Sequence, residues 1–401
     1  MMTEQSTIGD PRFSGQGISI EAFSAGLLAS FVGFASSFAV VIQGLTAVGA
    51  TQAEAASGLM ALSVAMGVCG IVLSVKKKQP ISIAWSTPGA ALLASTAAPA
   101  GGFATAVGAF LISSLLIIVA GLWKPLGRVV AAIPTPLANA MLAGVLLNLC
   151  LAPVKAVAVA PAYGLAIVIT WALVAKWKRL LAVPAAVIMT VGIIVATVDV
   201  SHIDMSALRP QPILIMPQFD LSAMIGIALP LFIVTMASQN IPGIAVLNVN
   251  GYRPEPGPLF SITGFFSLLS APFGAHAVNL AAITAALCAG PDAHPDPARR
   301  YWASIVCGVF YVIFGLCAGA ATAFIGAAPP ILIQAVAGLA LLGALGSSLL
   351  GAVSDARNRE AAIITFIVTA AGLTFFGISG AFWGLLAGGA IYALTRWRAA
   401  D

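Results

Sequence analysis

Long apolar runs separated by short polar breaks cover almost the whole chain, and each run has the length of a bilayer crossing. Runs of about 20 residues, rising 1.5 Å each, match a hydrocarbon core of about 30 Å and predict about fourteen membrane passes. The first seven fall near 20–46, 54–74, 80–96, 101–123, 132–150, 156–175 and 180–198. The second seven fall near 219–247, 257–272, 273–290, 300–326, 329–351, 359–377 and 380–396. The predicted fold is an all-α polytopic membrane protein with a cytoplasmic tail at 1–19 and two halves at 20–205 and 206–401.

Two passes break the pattern. "QPISIAWSTPGAALLAS" (79–95) and "PFGAHAVNLAAITAAL" (272–287) each begin with an extended-looking segment and continue as a small-residue helix. A shift of 193 lays Trp85 on Val278, Ser86 on Asn279 and Pro88 on Ala281. A shift of 194 lays Gly121 on Gly315, Pro136 on Pro330 and "MLAG" (141–144) on "AVAG" (335–338), and a shift of 196 lays Gln43 on Gln239. A near-constant offset over four segments predicts an internal repeat. Seven passes is an odd number, so the second copy lies inverted in the membrane, as in secondary transporters with sites at broken helices near the midplane.

Composition agrees with this reading. Hydrophobic residues make up 60% of the chain and charged residues 8%, against about 25% charged in soluble domains. With the N-terminus inside, the alternation of passes puts 16 of the 18 basic residues on the cytoplasmic side and leaves only Lys155 and Arg209 outside. That bias predicts both termini cytoplasmic. The basic residues are scattered among loops, which argues against nucleic acid as a partner; membrane lipid is the expected surrounding. The first residues lack the charged-then-apolar layout of a cleavable signal. The five cysteines are unclustered within apolar runs, so neither a disulfide framework nor a metal site is expected, and no cofactor is implied.

The broken passes are the candidate site. Thr87 followed by Pro88 reads as an N-cap with proline in the first turn, and Asn279 is placed to cap the second copy. Helices running to 95 and 289 would span about ten residues, roughly 15 Å or half a bilayer core, and so begin near the midplane. The extended segments 80–86 and 273–279 carry backbone groups that lipid cannot satisfy, which predicts a short antiparallel strand pair. Inversion points both helix N-termini at one place, an arrangement that favours an anion. All 13 acidic residues lie in termini, loops or pass ends, and His202 and His294 lie in loops. His276 is therefore the one titratable imidazole at depth. It is either a proton carrier for substrate coupling or a neutral ring that steadies the strand. Gln239 and Asn240, followed by Pro242-Gly243, interrupt a pass and could bind a carboxylate, bond a strand edge or join helices. Ser86, Thr87 and Asn279 could cap alone or cap and bind. Trp85 could stack on a flat substrate or pack, and Ser36, Ser37 and Gln43 are weaker candidates.

The segments "FVGFASSFAVVIQGL", "QPISIAWSTPGAALL", "MASQNIPGIAVLNVNGY" and "PFGAHAVNLAAITAAL" resemble the bacterial benzoate membrane transporters, the BenE family of benzoate/proton symporters. The resemblance runs from about residue 20 to 396. It implies kinship in architecture with nucleobase/proton symporters and sulfate-type anion transporters. It further implies a seven-plus-seven inverted repeat, a core of passes 1–4 and 8–11, and a gate of passes 5–7 and 12–14. An elevator-like motion, often in a homodimer, and a bacterial inner-membrane location follow from the same resemblance. "IPTPLANAMLAG" and "APPILIQAVAG" would be gate helices facing the substrate. Nucleobase symporters carry glutamates in passes 8 and 10, where this chain has Gln239, Asn240, His276 and Asn279. That departure favours an anionic substrate. The expected function is import of benzoate or a related aromatic carboxylate by proton symport, driven by the proton gradient. The alternatives are an uncoupled or differently coupled organic-anion carrier, a nucleobase symporter or an anion channel of the same fold. A membrane enzyme would need clustered acids or metal ligands within the spans, and the sequence offers none.

Overall fold

The computed structural model describes residues 17–123, 125, 134–197, 211–281, 283–327, 329–373, 375 and 378–398. The tail at 1–16, Arg12, Lys124, Arg128, His202, Arg209 and the boundary at 205/206 lie outside the described residues. Elsewhere the apolar runs are helices. Among the described residues six are long and apolar enough to cross a membrane: Ile20–Ala47, Gln52–Lys77, Gly102–Leu122, Thr135–Val159, Leu221–Val249 and Pro330–Val353. Ala182–Thr197 and Gly380–Thr395 are shorter apolar helices. Large apolar side chains such as Leu173, Ile188 and Phe265 stand on the outer surface, as lipid contact requires.

The first half begins with α1 (Ile20–Ala35) and α2 (Phe38–Ala47), one pass broken at Ser36-Ser37. Both serine hydroxyls donate to the Gly33 carbonyl, at 3.3 and 3.1 Å. After α3 (Gln52–Lys77) the chain forms β1 (Ile83–Trp85) and the short helix α4 (Thr87–Ala94), then α5 (Gly102–Leu122). Next come α6 (Thr135–Cys150), α7 (Ala152–Val159), α8 (Pro161–Lys178) and α9 (Ala182–Thr197). The second half opens with α10 (Leu221–Val249), then α11 (Pro256–Ser270), β2 (Val278–Leu280) and the short helix α12 (Ile283–Ala289). It ends with α13 (Tyr301–Leu316), α14 (Ala318–Ala327), α15 (Pro330–Val353), α16 (Arg359–Ala370) and α17 (Gly380–Arg398).

α10 contains two π turns, Met224–Ala228 and Met236–Asn240. Each precedes or overlaps the place where a proline removes a backbone donor, Pro230 and Pro242. The Gly226 carbonyl, four residues before Pro230, accepts instead from the Ser379 hydroxyl at 2.8 Å.

β1 and β2 form the expected antiparallel pair, with Ile83 opposite Leu280, Ala84 opposite Asn279 and Trp85 opposite Val278. The Ser86 N–H continues the ladder to the Ala277 carbonyl at 2.9 Å, and the Ala281 N–H to Ser82 at 3.0 Å. Trp85 thus faces the residue 193 positions further on, 278 − 85. A rotation exchanging these two residues also exchanges the Ala84/Asn279 and Ser86/Ala277 partners, so the pair has a local two-fold between Trp85 and Val278. The outer edge of β2 is closed by side chains. Val278 N–H donates to Ser267 Oγ at 2.8 Å, and Leu280 N–H donates to Asn240 Oδ1 at 3.0 Å. Buried strand edges need such partners because no lipid group can supply them. Gly274, at φ +89°, takes the left-handed turn that leads into this strand.

Around the strands α3 packs on α13 and α5 on α11, while α2 packs on α4. The remaining helices associate mainly with one another: α15 with α6, α16 with α17, and α8 with α9. Ile167, Ala186, Ile193, Leu332, Val336 and Leu339 join α8, α9 and α15 in an apolar cluster separate from the main core.

Candidate functional site

The short helix α4 begins one residue earlier than its Thr-Pro sequence suggests. Ser86 is the N-cap, its Oγ accepting from Gly89 N–H at 3.1 Å, while Thr87 and Pro88 fill the first turn. The correction has a simple cause: the Ser86 hydroxyl lies within reach of the third helical N–H, the usual capping contact. The same Oγ accepts from the Thr235 hydroxyl of α10 at 2.9 Å, tying the half-helix to that pass. Proline supplies no N–H, and Ser86 occupies that of Gly89. Thr87 is left as the open group of this helix start, partly exposed, with neither its N–H nor its hydroxyl bonded to another described residue.

The other broken segment differs. Asn279 lies in β2, paired opposite Ala84, and does not cap a helix because the chain is extended there. Its Nδ2 donates to the Leu280 carbonyl at 2.8 Å, and its buried Oδ1 has no partner among the described residues. The helices are also shorter than expected, 8 residues for α4 and 7 for α12. Arg300 closes the far end of α12, donating from Nη1 to the Ala289 carbonyl at 2.9 Å, where a cation complements the helix dipole.

Trp85 is 2% exposed, its Nε1 donating to Ser37 Oγ at 2.8 Å and its ring 5.4 Å from that of Phe34. It is therefore held against the break between α1 and α2. His276 is fully buried. Its Nδ1 accepts from Ala277 N–H at 2.7 Å, its ring meets Phe110 edge-on at 6.4 Å, and Nε2 has no partner among the described residues. An N–H donor at Nδ1 assigns the neutral ring's hydrogen to Nε2. Asn240 is the strand-edge partner already described, whereas Gln239 is partly exposed and its side chain bonds no described residue. No Asp or Glu is buried among the described residues.

The structure thus gathers Trp85, Ser86, Asn240, His276, Asn279 and Ser37 into one bonded centre, with Thr87 and Gln239 at its accessible margin. Gln43 lies apart. It lines a cavity of about 510 Å³ with Gln52, Thr322 and Gln334, within the roughly 300–1,000 Å³ of small-molecule sites. Thr235, Gln52, Thr322 and Gln334 escaped the sequence reading. Gln334 carried a usable signal, as the one amide in the apolar run "PPILIQAVAG".

Residues 16–394 match the sequence profile of the benzoate membrane transport protein family, BenE. The chain is 41% identical over 372 residues to the inner membrane protein YdcO of Escherichia coli (strain K12), covering 93% of this chain and 95% of that protein. It is 32% identical over 372 residues to the benzoate membrane transport protein of Acinetobacter baylyi (strain ATCC 33305 / BD413 / ADP1), covering 92% and 94%. Among solved structures it resembles SLC26A9, with TM-score 0.64 and 13% identity over 96% of this chain and 66% of that one. It also resembles the transmembrane domain of the cyanobacterial bicarbonate transporter BicA, with TM-score 0.59 and 15% identity over 92% and 97%. These similarities show a shared fold. The chain belongs to the BenE family of benzoate membrane transport proteins.

Proposed function

We propose that this protein imports benzoate or a closely related aromatic carboxylate across the inner membrane by proton symport. The observation that carries the reading is the central strand pair feeding a half-helix whose first turn keeps Thr87 open, with no buried carboxylate among the described residues. A helix start of this kind favours a negative charge. The 193-residue register of β1 and β2 supports the inverted repeat, with both termini cytoplasmic. The preferential packing of α6 on α15, α16 on α17 and α8 on α9 supports a gate that moves against a core of α1–α5 and α10–α14. His276 is the proposed proton carrier.

The test is uptake of labelled benzoate into proteoliposomes with and without an inward proton gradient, with uracil and sulfate in parallel. Accumulation of benzoate alone, and only with the gradient, is expected. Equal accumulation without a gradient contradicts symport, and transport of uracil or sulfate in its place contradicts the substrate assignment.

A further inference from the structure

α13 carries Ser304, Cys307 and Tyr311 at spacings of three and four residues, which puts their side chains on one face of the helix. α12 packs beside it and carries Thr284 and Cys288, one turn apart. The side chains meet in order. Ser82 Oγ, just before β1, lies 3.1 Å from Ser304 Oγ. Cys288 lies against Ser82, Ser304 and Cys307, Cys307 against Tyr311, and the Tyr311 hydroxyl beside Thr284. All six side chains are buried.

Ordinary helix packing does not account for this row. Hydroxyls on membrane helices commonly donate to the carbonyl four residues back, as Ser63, Ser114, Thr190 and Thr365 do here. None of the six side chains in the row bonds a backbone carbonyl among the described residues, and Thr284 Oγ1 is enclosed without a hydrogen bond of its own. Each hydroxyl or thiol can both donate and accept, the property a group needs to take one proton while passing on another.

The two ends of the row have different surroundings. Ser82 follows Lys78 by four residues and Ser304 follows Arg300 by four, which is the side the basic residues assign to the cytoplasm. Tyr311 lies seven residues beyond Ser304, about 10 Å deeper along α13. There its hydroxyl abuts Gly33, where any Cβ would collide with it. The Gly33 carbonyl receives the Ser37 hydroxyl, and Ser37 holds Trp85, so the inner end adjoins the bonded centre.

We propose that this row is a proton relay between the central site and the cytoplasmic side, with Cys307 and Tyr311 as proton-transfer residues. The inference rests on the symport reading above. At each member a new O–H or S–H bond forms on the side of the centre as the old one breaks toward the cytoplasm. One proton enters at Thr284, one leaves at Ser82 or Ser304, every member ends neutral, and rotation of the hydroxyls and thiols resets the row. No fixed charge is placed in the membrane core, where it would be costly.

Proteoliposomes holding wild type, Tyr311→Phe, Cys307→Ala and Cys307→Ser are compared in two assays. One is accumulation of labelled benzoate driven by an inward proton gradient; the other is exchange of labelled for unlabelled benzoate without a gradient. Exchange cycles the loaded protein and needs no proton to leave, whereas net accumulation does. Tyr311→Phe and Cys307→Ala should slow accumulation by about tenfold or more and leave exchange unchanged, which also shows that they fold. Cys307→Ser restores a group that gives and takes a proton and should accumulate benzoate near the wild-type rate. Wild-type accumulation in either Tyr311→Phe or Cys307→Ala, loss of exchange in parallel with accumulation, or Cys307→Ser as slow as Cys307→Ala overturns the proposal. Wild-type protein that ignores the gradient is a separate failure: it ends the symport reading and leaves the relay no proton to carry.

Discussion

Trp85→Ala is expected to lower the stability of the protein by about 3–5 kcal/mol, the usual cost of emptying a buried aromatic site. The ring is almost wholly enclosed and sits beside Phe34, which itself stacks on Phe38 at 5.5 Å and meets Phe314 at 5.3 Å. Its removal would open a cavity where β1, the α1–α2 break and α13 converge, and well-packed surroundings close such cavities only in part. Trp85→Phe separates the contributions. It keeps most of the apolar contact and removes the Nε1–H to Ser37 bond, so a loss of about 1 kcal/mol is expected. Unfolding of the purified variants in one detergent, followed by near-ultraviolet circular dichroism, measures both. A Trp85→Ala protein within about 1 kcal/mol of wild type would mean that the indole is not a packing element, and would return it to the substrate.

His276→Gln is expected to retain benzoate binding and to lose accumulation driven by a proton gradient. The reasoning follows the hydrogen bonds outward from the ring. With the neutral hydrogen on Nε2, a second proton must arrive at Nδ1, where it displaces Ala277 N–H. The Ala277 carbonyl receives the N–H of Ser86, and Ser86 caps α4 and receives the Thr235 hydroxyl. Protonation would therefore disturb the residue that frames the open end of α4, a contiguous route from proton to substrate. Glutamine is uncharged at every working pH and cannot follow that route. Gradient-driven uptake and equilibrium binding of labelled benzoate, measured on the same preparations, check the split. A variant that still concentrates benzoate would make His276 a structural ring and leave the substrate itself to carry the proton.

The strand pair was legible because only a backbone that finds partners can stay extended in hydrocarbon, and the two broken passes are the segments whose flanking Pro, Gly and Ser depart from helix chemistry. Its register was not legible, because an offset of 193 is met by several alignments of the two strands and only the fold sets Trp85 opposite Val278. The N-cap was displaced by one residue because Ser86 and Thr87 are both capping residues, and only the fold decides which hydroxyl reaches Gly89. Asn279 misled for a related reason: as a capping residue type it suggested a helix start, but it lies within β2 opposite Ala84. The break at Ser36-Ser37 carries no glycine or proline, so the apolar run read as one helix. Gln334 was visible as a lone amide in an apolar run, but what it faces was not. A lone amide on an apolar helix gains meaning only when the opposite wall, here Gln43, is known, and residues 291 positions apart (334 − 43) share no sequence pattern.

The account rests on a site that takes an anion, and the direct test is equilibrium binding of benzoate against benzamide, its neutral counterpart of nearly equal shape, to the purified wild-type protein. A helix start favours a negative charge by roughly 0.3–2 kcal/mol, and a hydrogen bond to a charged group is worth about 1.5–3 kcal/mol. Benzoate should therefore bind at least about tenfold more tightly. Equal affinity for the two would show that the ring alone is recognised and would contradict the anion site at the half-helix.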